Sequence, residues 1–509
     1  MFRRINQTIS ERCESGFCTV VAQRYVVAFI MCLNITQFKT LSLCYETSLL
    51  YLIDWGGTNT SNLTTDPNAM FVINDTIPSG SLCTESAVMI PYSMITSQMD
   101  FDALFMSNNI YCYTLLITHL PVGLTCDKLG IRNSIIASSI IGVLLSSTYP
   151  TILTKSNSFV FLTHRIAQGL LEAIINVVTV HLVSHWTTKD EYTIVLTLCN
   201  AGAALGALYH EILTYALLFV RWDIMFYIIS ASYAITLLLN IYFVYNNPLQ
   251  SPFASKEEKD KVMQELGEEY PERIPWKQIG RDGSIWALLP GQLGTDIMRI
   301  FLFVYISKYL RLVIGINIFK YYYYMIICHI GTVFMPMLWC LLAQYFINKK
   351  MMPVLYVRTF SAGLGNIMPF IFVILSTYSG CLAESIIICY TVGSIIRDLS
   401  LVGTAVNVLD ITRYYSGLIE AITHGIGRGV GGLIVSKMLS HVRLETINDF
   451  RLATCAVGSV SMFLTILYYV WADASRAKWD TIETEEDVIG LRLHKRQIQE
   501  NPNIHSIQF

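Results

Sequence analysis

Long apolar stretches separated by short polar ones dominate the sequence. The clearest are 131–150, 222–245, 353–377 and 452–471. Each has about the twenty residues that an α-helix needs to cross roughly 30 Å of hydrocarbon. Eight further stretches have a similar length but more polar residues, so we predict twelve membrane spans whose bounds hold to within several residues. The predicted spans are 24–53, 103–124, 131–150, 158–186, 192–219, 222–245, 284–307, 321–347, 353–377, 382–409, 414–440 and 450–472.

A polar segment, 246–283, divides the predicted spans into two sets of six. The pattern therefore predicts an all-α membrane protein with one six-helix bundle over 24–245 and another over 284–472. Residues 1–23 and 473–509 form polar termini. Two bundles joined by a charged linker are typical of transporters whose site lies between the bundles, near the middle of the membrane. A twelve-span channel or a membrane enzyme is the alternative.

Composition changes this picture little. Hydrophobic residues make up 53% of the 509 residues and charged residues only 14%, whereas soluble proteins have roughly 25% charged residues. The 35 basic and 37 acidic residues nearly balance and give no reason to expect a nucleic-acid partner. The thirteen cysteines form no CxxC pair, so we expect neither a disulfide framework nor a zinc site. Cys83 is the main cysteine expected outside the cytoplasm, and no cofactor motif is found.

Basic residues predict the orientation, because they stay on the cytoplasmic side of the membrane in short loops. Residues 54–102 contain no Lys or Arg and carry three glycosylation acceptor motifs, at Asn59, Asn62 and Asn74. We therefore expect this loop to be glycosylated and to face the lumen or the cell exterior. The termini and the 246–283 linker, which are rich in basic residues, are expected in the cytoplasm.

The loop after the second span reads GLTCDKLGIR. Gly123 and Gly130 allow a tight turn and a close approach of helices. Asp127 can cap a helix or pair with a basic residue, while Lys128 and Arg132 anchor the loop at the cytoplasmic surface. The motif resembles the signature of the major facilitator superfamily, in which this loop gates the change between conformations.

A second motif, VNVLDITRYYSGLIEAITHGIGRGVGGLI, begins at Val406. It is similar to spans ten and eleven of the sialin, vesicular glutamate transporter and sodium–phosphate cotransporter family. The stretches RIAQGLLEA, THLPVG and IPWKQI match the same family in the same order. The positions that carry the resemblance in the second motif are Asn407, Leu409, Asp410, Tyr415, Ser416, Gly425 and Gly427.

The resemblance implies a secondary active transporter that works by alternating access. The expected partners are a small organic anion or phosphate, a coupling ion (proton or sodium) or the membrane potential, and the lipid bilayer. The expected membrane is the plasma membrane or a lysosomal or vesicular one. Asp410 is expected to take part in coupling or gating.

Two charges within the fourth span are the leading candidates for the site. A charge at the centre of the bilayer costs about 3 kcal/mol on insertion scales. Arg165 and Glu172 are seven residues apart, on nearly the same helix face and about 10 Å apart along the axis. The resemblance places the Arg in the path of the anion and ties the Glu to proton coupling or gating. We expect the Arg165 guanidinium to face a shared aqueous chamber; a structural ion-pair network is the alternative for both residues.

The chain also departs from the family pattern. The Arg that is usual late in the first span is replaced by Ser42. Lys39, one turn earlier, could supply a substitute cation, or it could snorkel or pair with Glu46. Asn108 stands where vesicular glutamate carriers have a His and remains a substrate-binding candidate. Further losses are Thr295, in place of an Arg of some members, and Ala343, in place of an Asp in the second half.

The second half offers three more candidates. Arg299 could bind an anion or be neutralised by Asp296, three residues earlier. Arg397 could bind an anion or be neutralised by Asp398. His424 could pack within the helix, or it could titrate near neutral pH and take part in coupling.

The losses at positions 42, 108 and 343 also fit a different class of protein. A transport-inactive, receptor-like or scaffold membrane protein derived from the family is therefore the second hypothesis. An enzyme is not expected, because no nucleophile, metal cluster or cofactor loop occurs in the predicted spans.

Overall fold

The computed structural model describes residues 22–55, 70–73, 88–91, 101–155, 158–266, 274–310, 314, 318–440 and 446–480. The predicted glycosylation positions Asn59, Asn62 and Asn74 lie outside the described residues, as does Cys83. So do most of the predicted cytoplasmic termini, 1–21 and 481–509.

Long helices account for nearly all of the described chain. The helices before the polar linker are α1 (Gln23–Trp55), α2 (Phe101–Leu129), α3 (Ile131–Lys155), α4 (Ser158–Trp186) and α5 (Tyr192–Phe243). The backbone of Arg221 leaves the helical region (φ −154°, ψ 78°). This kink divides α5 into two candidate spans, Tyr192–Leu217 and Arg221–Phe243.

The linker and the second half follow the same helical pattern. The linker holds a short 3₁₀ turn (Pro248–Gln250), α6 (Lys256–Leu266) and α7 (Trp276–Ile279). A π-helical segment, Leu401–Ala405, interrupts the tenth predicted span. The remaining helices are α8 (Gly283–Lys308), α9 (Ile318–Asn348), α10 (Val354–Ser376), α11 (Ala383–Arg397), α12 (Val406–Ile411), α13 (Ser416–Ser440) and α14 (Ile447–Trp471).

One feature was not predicted. Two short strands, β1 (Met70–Ile73) and β2 (Val88–Pro91), pair antiparallel within the 54–102 loop, with Met70 opposite Pro91. Their sequences, MFVI and VMIP, contain the β-branched residues that favour strands. Hydropathy reveals spans but is a poor guide to such short strands.

Ten helical segments of the described chain are long and apolar enough to cross a membrane. The other two predicted spans, 103–124 and 284–307, coincide with α2 and α8, which are long enough to cross but are not among the ten. Both carry polar residues near their middle, such as Asn109 in α2 and Asp296 in α8. The two helices with the weakest hydropathy signal thus contribute candidate site residues.

The two halves meet along helix pairs that cross between them. Within the first half α1 packs on α5 and α2 on α4; within the second, α8 packs on α13 and α14. Between the halves, α2 packs along α13 and α5 along α9. Glycines permit the first of these contacts, since a Cβ on Gly425 of α13 would lie 2.5 Å from the Cβ of His119 on α2. The site described next lies along α13 and its neighbours.

Candidate functional site

The Arg165 guanidinium is completely buried and is already paired. Its Nη2 donates to Glu46 Oε1 at 2.8 Å and to Asn108 Oδ1 at 2.9 Å, and its Nη1 donates to Gln168 Oε1 at 2.6 Å. Glu46 comes from α1 and is 21% exposed, and Asn108, on α2, is exposed. The expected open face toward a chamber is therefore occupied by a carboxylate in this conformation.

Glu172 pairs with a residue that the sequence analysis did not single out. Its Oε1 accepts a hydrogen bond from Arg428 Nε of α13 at 2.9 Å. Arg428 Nη1 also lies 3.7 Å from Asp296 Oδ1 of α8, and Arg299 Nη1 lies 3.7 Å from the same oxygen. Four charges thus form a chain from α4 of the first half, through α13, to α8.

Lys39 differs from these residues. Its ammonium lies 5.9 Å from the centre of the Phe303 ring, and among the described residues no carboxylate forms an ion pair with it. The charges that act on it include Arg428, Glu172, Arg299 and Arg397. Three of these four are cations, and together they oppose the charge of the half-buried ammonium.

Arg397 and Asp398 pair with each other, as the alternative reading of that dipeptide expects. The Arg397 Nε donates to Asp398 Oδ1 at 2.9 Å, and the two side chains are 19% and 21% exposed. They lie at the end of α11, just before the π-helical segment. The pair is partly accessible to solvent, and each charge largely neutralises the other.

His424 is buried on α13 between several polar groups. Its Nε2 lies 3.3 Å from Asn176 Nδ2 of α4, and its Nδ1 lies 3.6 Å from Glu420 Oε1. The ring of His119, on α2, is centred 5.9 Å away. His424 therefore belongs to a polar cluster between the halves rather than to an apolar packing surface.

Asp410 lies in a second group, at the end of the molecule where α4 ends and α5 begins. Arg358 of α10 donates to both of its oxygens, with the Nε to Oδ2 distance at 2.7 Å, and also to Thr193 Oγ1 at 3.2 Å. The hydroxyl of Tyr192 donates to Asp410 Oδ1. Residues of both halves thus meet at this carboxylate.

A third group, which we call the latch, closes the same end of the molecule. Arg413, between α12 and α13, donates to the backbone carbonyls of Ser184 (3.0 Å) and Thr187 and to Glu265 Oε1 at 2.7 Å. Burial lowers the pKa of its guanidinium, and the nearby carboxylate of Glu265 opposes that shift. Asp480 accepts hydrogen bonds from the Thr412 hydroxyl and from the Arg413 and Tyr414 backbone N–H groups.

The GLTCDKLGIR motif lies at this end too. Gly130 adopts φ +79° between α2 and α3 and lies against Asn246, which explains the need for glycine there. Arg132 donates to the Ile241 carbonyl at 2.7 Å, and Lys128 is exposed. Asp127 lies in the last turn of α2, and its side chain is not among those that the structure describes.

The spacing of charged residues in the sequence already indicates some of these site residues. Glu420, His424 and Arg428 recur every four residues in the eleventh span, which places them on one helix face. Ionisable residues with that spacing inside a span are a functional signal. Arg358 and Arg413 lie near the ends of predicted spans, where an arginine is common. Only their hydrogen-bond partners in the structure show that they join the two halves.

Comparisons with known proteins agree with this architecture. The Major Facilitator Superfamily profile matches residues 80–432. Human sialin is 20% identical over 72% of this chain and 75% of its own length. Mouse sodium-dependent phosphate transport protein 3 is 20% identical over 91% and 96%, and Xenopus laevis vesicular glutamate transporter 1 is 22% identical over 78% and 70%.

Solved structures show the same fold. An E. coli fucose:proton symporter superposes with a TM-score of 0.53 at 11% identity, covering 87% of this chain and 99% of its own. A D-xylose–proton symporter gives 0.58 at 12% identity, covering 88% and 98%. The predicted fold class and the distant relationship are confirmed. The chain therefore belongs to the major facilitator superfamily, whose members are multi-pass membrane transporters and not enzymes.

Proposed function

We propose that the protein carries a small organic anion, a carboxylate, or phosphate across its membrane by alternating access, driven by protons, sodium or the membrane potential. The observation that carries this proposal is Lys39, a cation without an ion-pair partner among the described residues, near Arg299 and Arg397. An uncompensated ammonium within a membrane span is costly. A bound anion would remove that cost, and a cation would increase it.

Arg165 has a different place in this proposal. Because Glu46 already neutralises it, an anion reaches this guanidinium only when Glu46 releases it. We propose that Lys39 forms one position for the anion and that Arg165 and Asn108 form a second. A guanidinium suits carboxylate or phosphate because it can bind either in a fork.

The relatives support an anionic cargo. Two of them are named for phosphate transport and for glutamate transport, and both ligands are anions. At about 20% identity this similarity does not choose between the two. It makes inorganic phosphate and glutamate the first probes.

The proposed orientation, with both termini in the cytoplasm, has one independent support. Cys381, between α10 and α11, is disulfide-bonded. Disulfides persist in oxidising compartments. The loop that carries Cys381 follows a span that runs outward in the proposed topology, so it would face the lumen or the cell exterior.

The proposed domains remain the bundles 24–245 and 284–472.

The test is uptake of labelled phosphate, glutamate and other small carboxylates into liposomes that contain the purified protein, at varied pH and sodium. Losing a charged hydrogen bond to the anion costs about 1.5–3 kcal/mol, so we expect Lys39→Gln to lower uptake roughly ten- to hundredfold. Lys349→Gln, in the exposed loop after α9, is the matched control and should transport normally. Normal uptake by Lys39→Gln would remove Lys39 from the site.

A transport-inactive receptor-like or scaffold protein is the second candidate. Two observations favour it. Glu46 already neutralises Arg165, and Ser42 and Ala343 stand at positions where the family has charged residues. In that case no anion of the panel enters the liposomes, although the protein is folded and correctly inserted.

A further inference from the structure

A buried carboxylate on α13 has no role in the anion site proposed above. Glu420 is 4% exposed. Its Oε2 atom is buried and has no hydrogen-bond partner. No Lys or Arg among the described residues forms an ion pair with it, and the basic group beside it is the His424 ring, with Nδ1 3.6 Å from Oε1.

The ionised form of such a group is unfavourable. A buried carboxylate is tolerated when paired cations or several hydrogen bonds compensate it. Among the described residues Glu420 has no ion pair with Lys or Arg, and Arg299 of α8 acts on it only from a distance. Protonation removes the charge and turns one bare oxygen into a hydrogen-bond donor. The surroundings of Glu420 therefore favour a bound proton.

The groups around Glu420 come from each helix that packs closely on α13. On α8 are Asp296, with both oxygens buried and without hydrogen bonds, and Arg299. On α13 itself are His424, one turn away, and Arg428, which binds Glu172 of α4. On α2 and α4, beside His424, are His119 and Asn176. Asp296 is thus a second carboxylate within electrostatic range of Glu420.

The two histidines supply a further place for the proton. His119 Nδ1 lies 2.7 Å from the Leu115 carbonyl, so the proton of the neutral ring belongs on Nδ1 and its Nε2 is an acceptor. That Nε2 is buried without a partner. An amide nitrogen of Asn176 lies beside His424 Nε2. A bare acceptor therefore lies in each half, His119 Nε2 in the first and Glu420 Oε2 in the second.

We propose that Glu420, with His424 beside it, binds the proton that is transported with the anion. This inference rests on the proposed function and names its coupling ion. Glu420 and His424 belong to the second half, whereas His119 and Asn176 belong to the first. Moving α13 against α2 and α4 changes the partners of His424, so occupation by a proton and the conformation of the carrier depend on each other.

The same geometry gives Glu420 and Glu172 different roles. Glu172, which the family resemblance ties to proton coupling, is held by Arg428 at 2.9 Å and is stabilised as an anion. Glu420 has no such cation. Glu420 is therefore the carboxylate to which we assign the proton.

A first experiment tests proton binding without any substrate. Infrared spectra of the purified protein in bilayers, recorded across a pH series, should contain the carbonyl band of a buried protonated carboxyl group. That band should disappear in Glu420→Gln, persist in the exposed linker variant Glu257→Gln, and shift in Glu420→Asp, which keeps an acid if the amide variant fails to fold. A wild-type protein without a band that depends on Glu420 would overturn the proposal.

A second experiment tests coupling, with labelled inorganic phosphate and glutamate as probes. Glu420→Gln should lose the accumulation that a pH gradient drives, while it retains exchange of labelled for unlabelled probe, because exchange needs no net proton release. Accumulation that survives in Glu420→Gln, or that does not respond to a pH gradient in the wild type, contradicts the proposal. A wild type that exchanges no probe contradicts the transporter function instead, and the infrared result then decides the proton site alone.

Discussion

Buried arginines are the residues on which the interior of this protein depends most. Arg165, Arg358 and Arg428 each lie within a helix and each pairs with a carboxylate from another helix. Bringing two charges out of water is costly, and the pair compensates only while both partners are present. Removing one partner leaves a buried charge alone, which typically costs about 3–5 kcal/mol.

The pair of Arg165 and Glu46 allows this to be measured. We expect Glu46→Gln to destabilise the protein strongly, because Arg165 is completely buried and keeps its charge. The double variant Arg165→Met with Glu46→Gln should recover much of the loss, since no charge remains to be compensated. Denaturant unfolding in detergent measures both effects.

The control for this cycle is Arg221→Met, which removes a pair that is largely exposed, with the Arg221 side chain 61% exposed. Exposed pairs contribute little, so its unfolding should be nearly unchanged. Double and single variants that are equally unstable would show that Glu46 does not compensate Arg165.

Partners across helices explain what the sequence could not predict about the site. The spacing along one helix predicted Arg165 and Glu172 on nearly the same face and raised a pairing of Lys39 with Glu46. Glu46 instead pairs with Arg165, 119 residues away, and Glu172 pairs with Arg428, 256 residues away. Such pairs depend on the rotation of each helix about its axis, which one sequence does not reveal.

At the scale of elements, α13 packs closely on α2 across the boundary between the halves. The added Cβ atoms at Gly425 and Gly123 would lie 2.5 Å from the His119 Cβ and 2.7 Å from the Ala421 Cβ. Small residues let membrane helices approach to this distance. Any movement of one half against the other must change this contact.

We expect Gly425→Ala to destabilise the protein by about 1–3 kcal/mol, the usual cost of overpacking, and to slow transport. Gly363→Ala, on α10, is the matched control because nothing lies within 4 Å of its added Cβ. It should be neutral or slightly stabilising, since Ala favours a helix. Thermal unfolding of both variants measures the difference in stability. Equal unfolding temperatures would mean that α2 and α13 are not in close contact.

Elements were predicted well where hydropathy alone decides them, as for 131–150, which lies within α3. Breaks inside spans were not predicted. The π-helical segment Leu401–Ala405 contains Gly403, whose added Cβ would lie 2.6 Å from the Ala362 nitrogen, and Arg358 donates to the Val402 carbonyl at 3.2 Å. This irregularity depends on contacts with α10, and hydropathy gives no information about such contacts.

At the scale of the whole molecule, the halves are closed at the end where α4 ends and α13 begins. The latch at Arg413 and the group around Asp410 both join residues that are far apart in the chain. The proposed topology assigns this end to the cytoplasm. In an alternating-access carrier these contacts must break before the site opens there.

We expect Arg413→Gln to shift the population toward states open at this end. The variant loses the charge-assisted bonds to Ser184, Thr187 and Glu265, worth about 1.5–3 kcal/mol each in typical cases. Energy transfer between dyes attached through unnatural amino acids at the exposed positions 128 and 349 measures the separation. Lys277→Gln, also exposed, is the control, and an unchanged distance distribution in Arg413→Gln would show that the latch does not hold the halves together.

The position of Asp480 has a practical consequence. Its carboxylate is the acceptor for three donors of the segment between α12 and α13, although it lies beyond α14 and resembles an expendable tail residue. Shortened versions prepared for crystallisation or for fluorescent fusion should keep the chain through this aspartate. Cutting before it would deprive these three donors of their acceptor and would disturb the closed end while leaving α1 to α14 present.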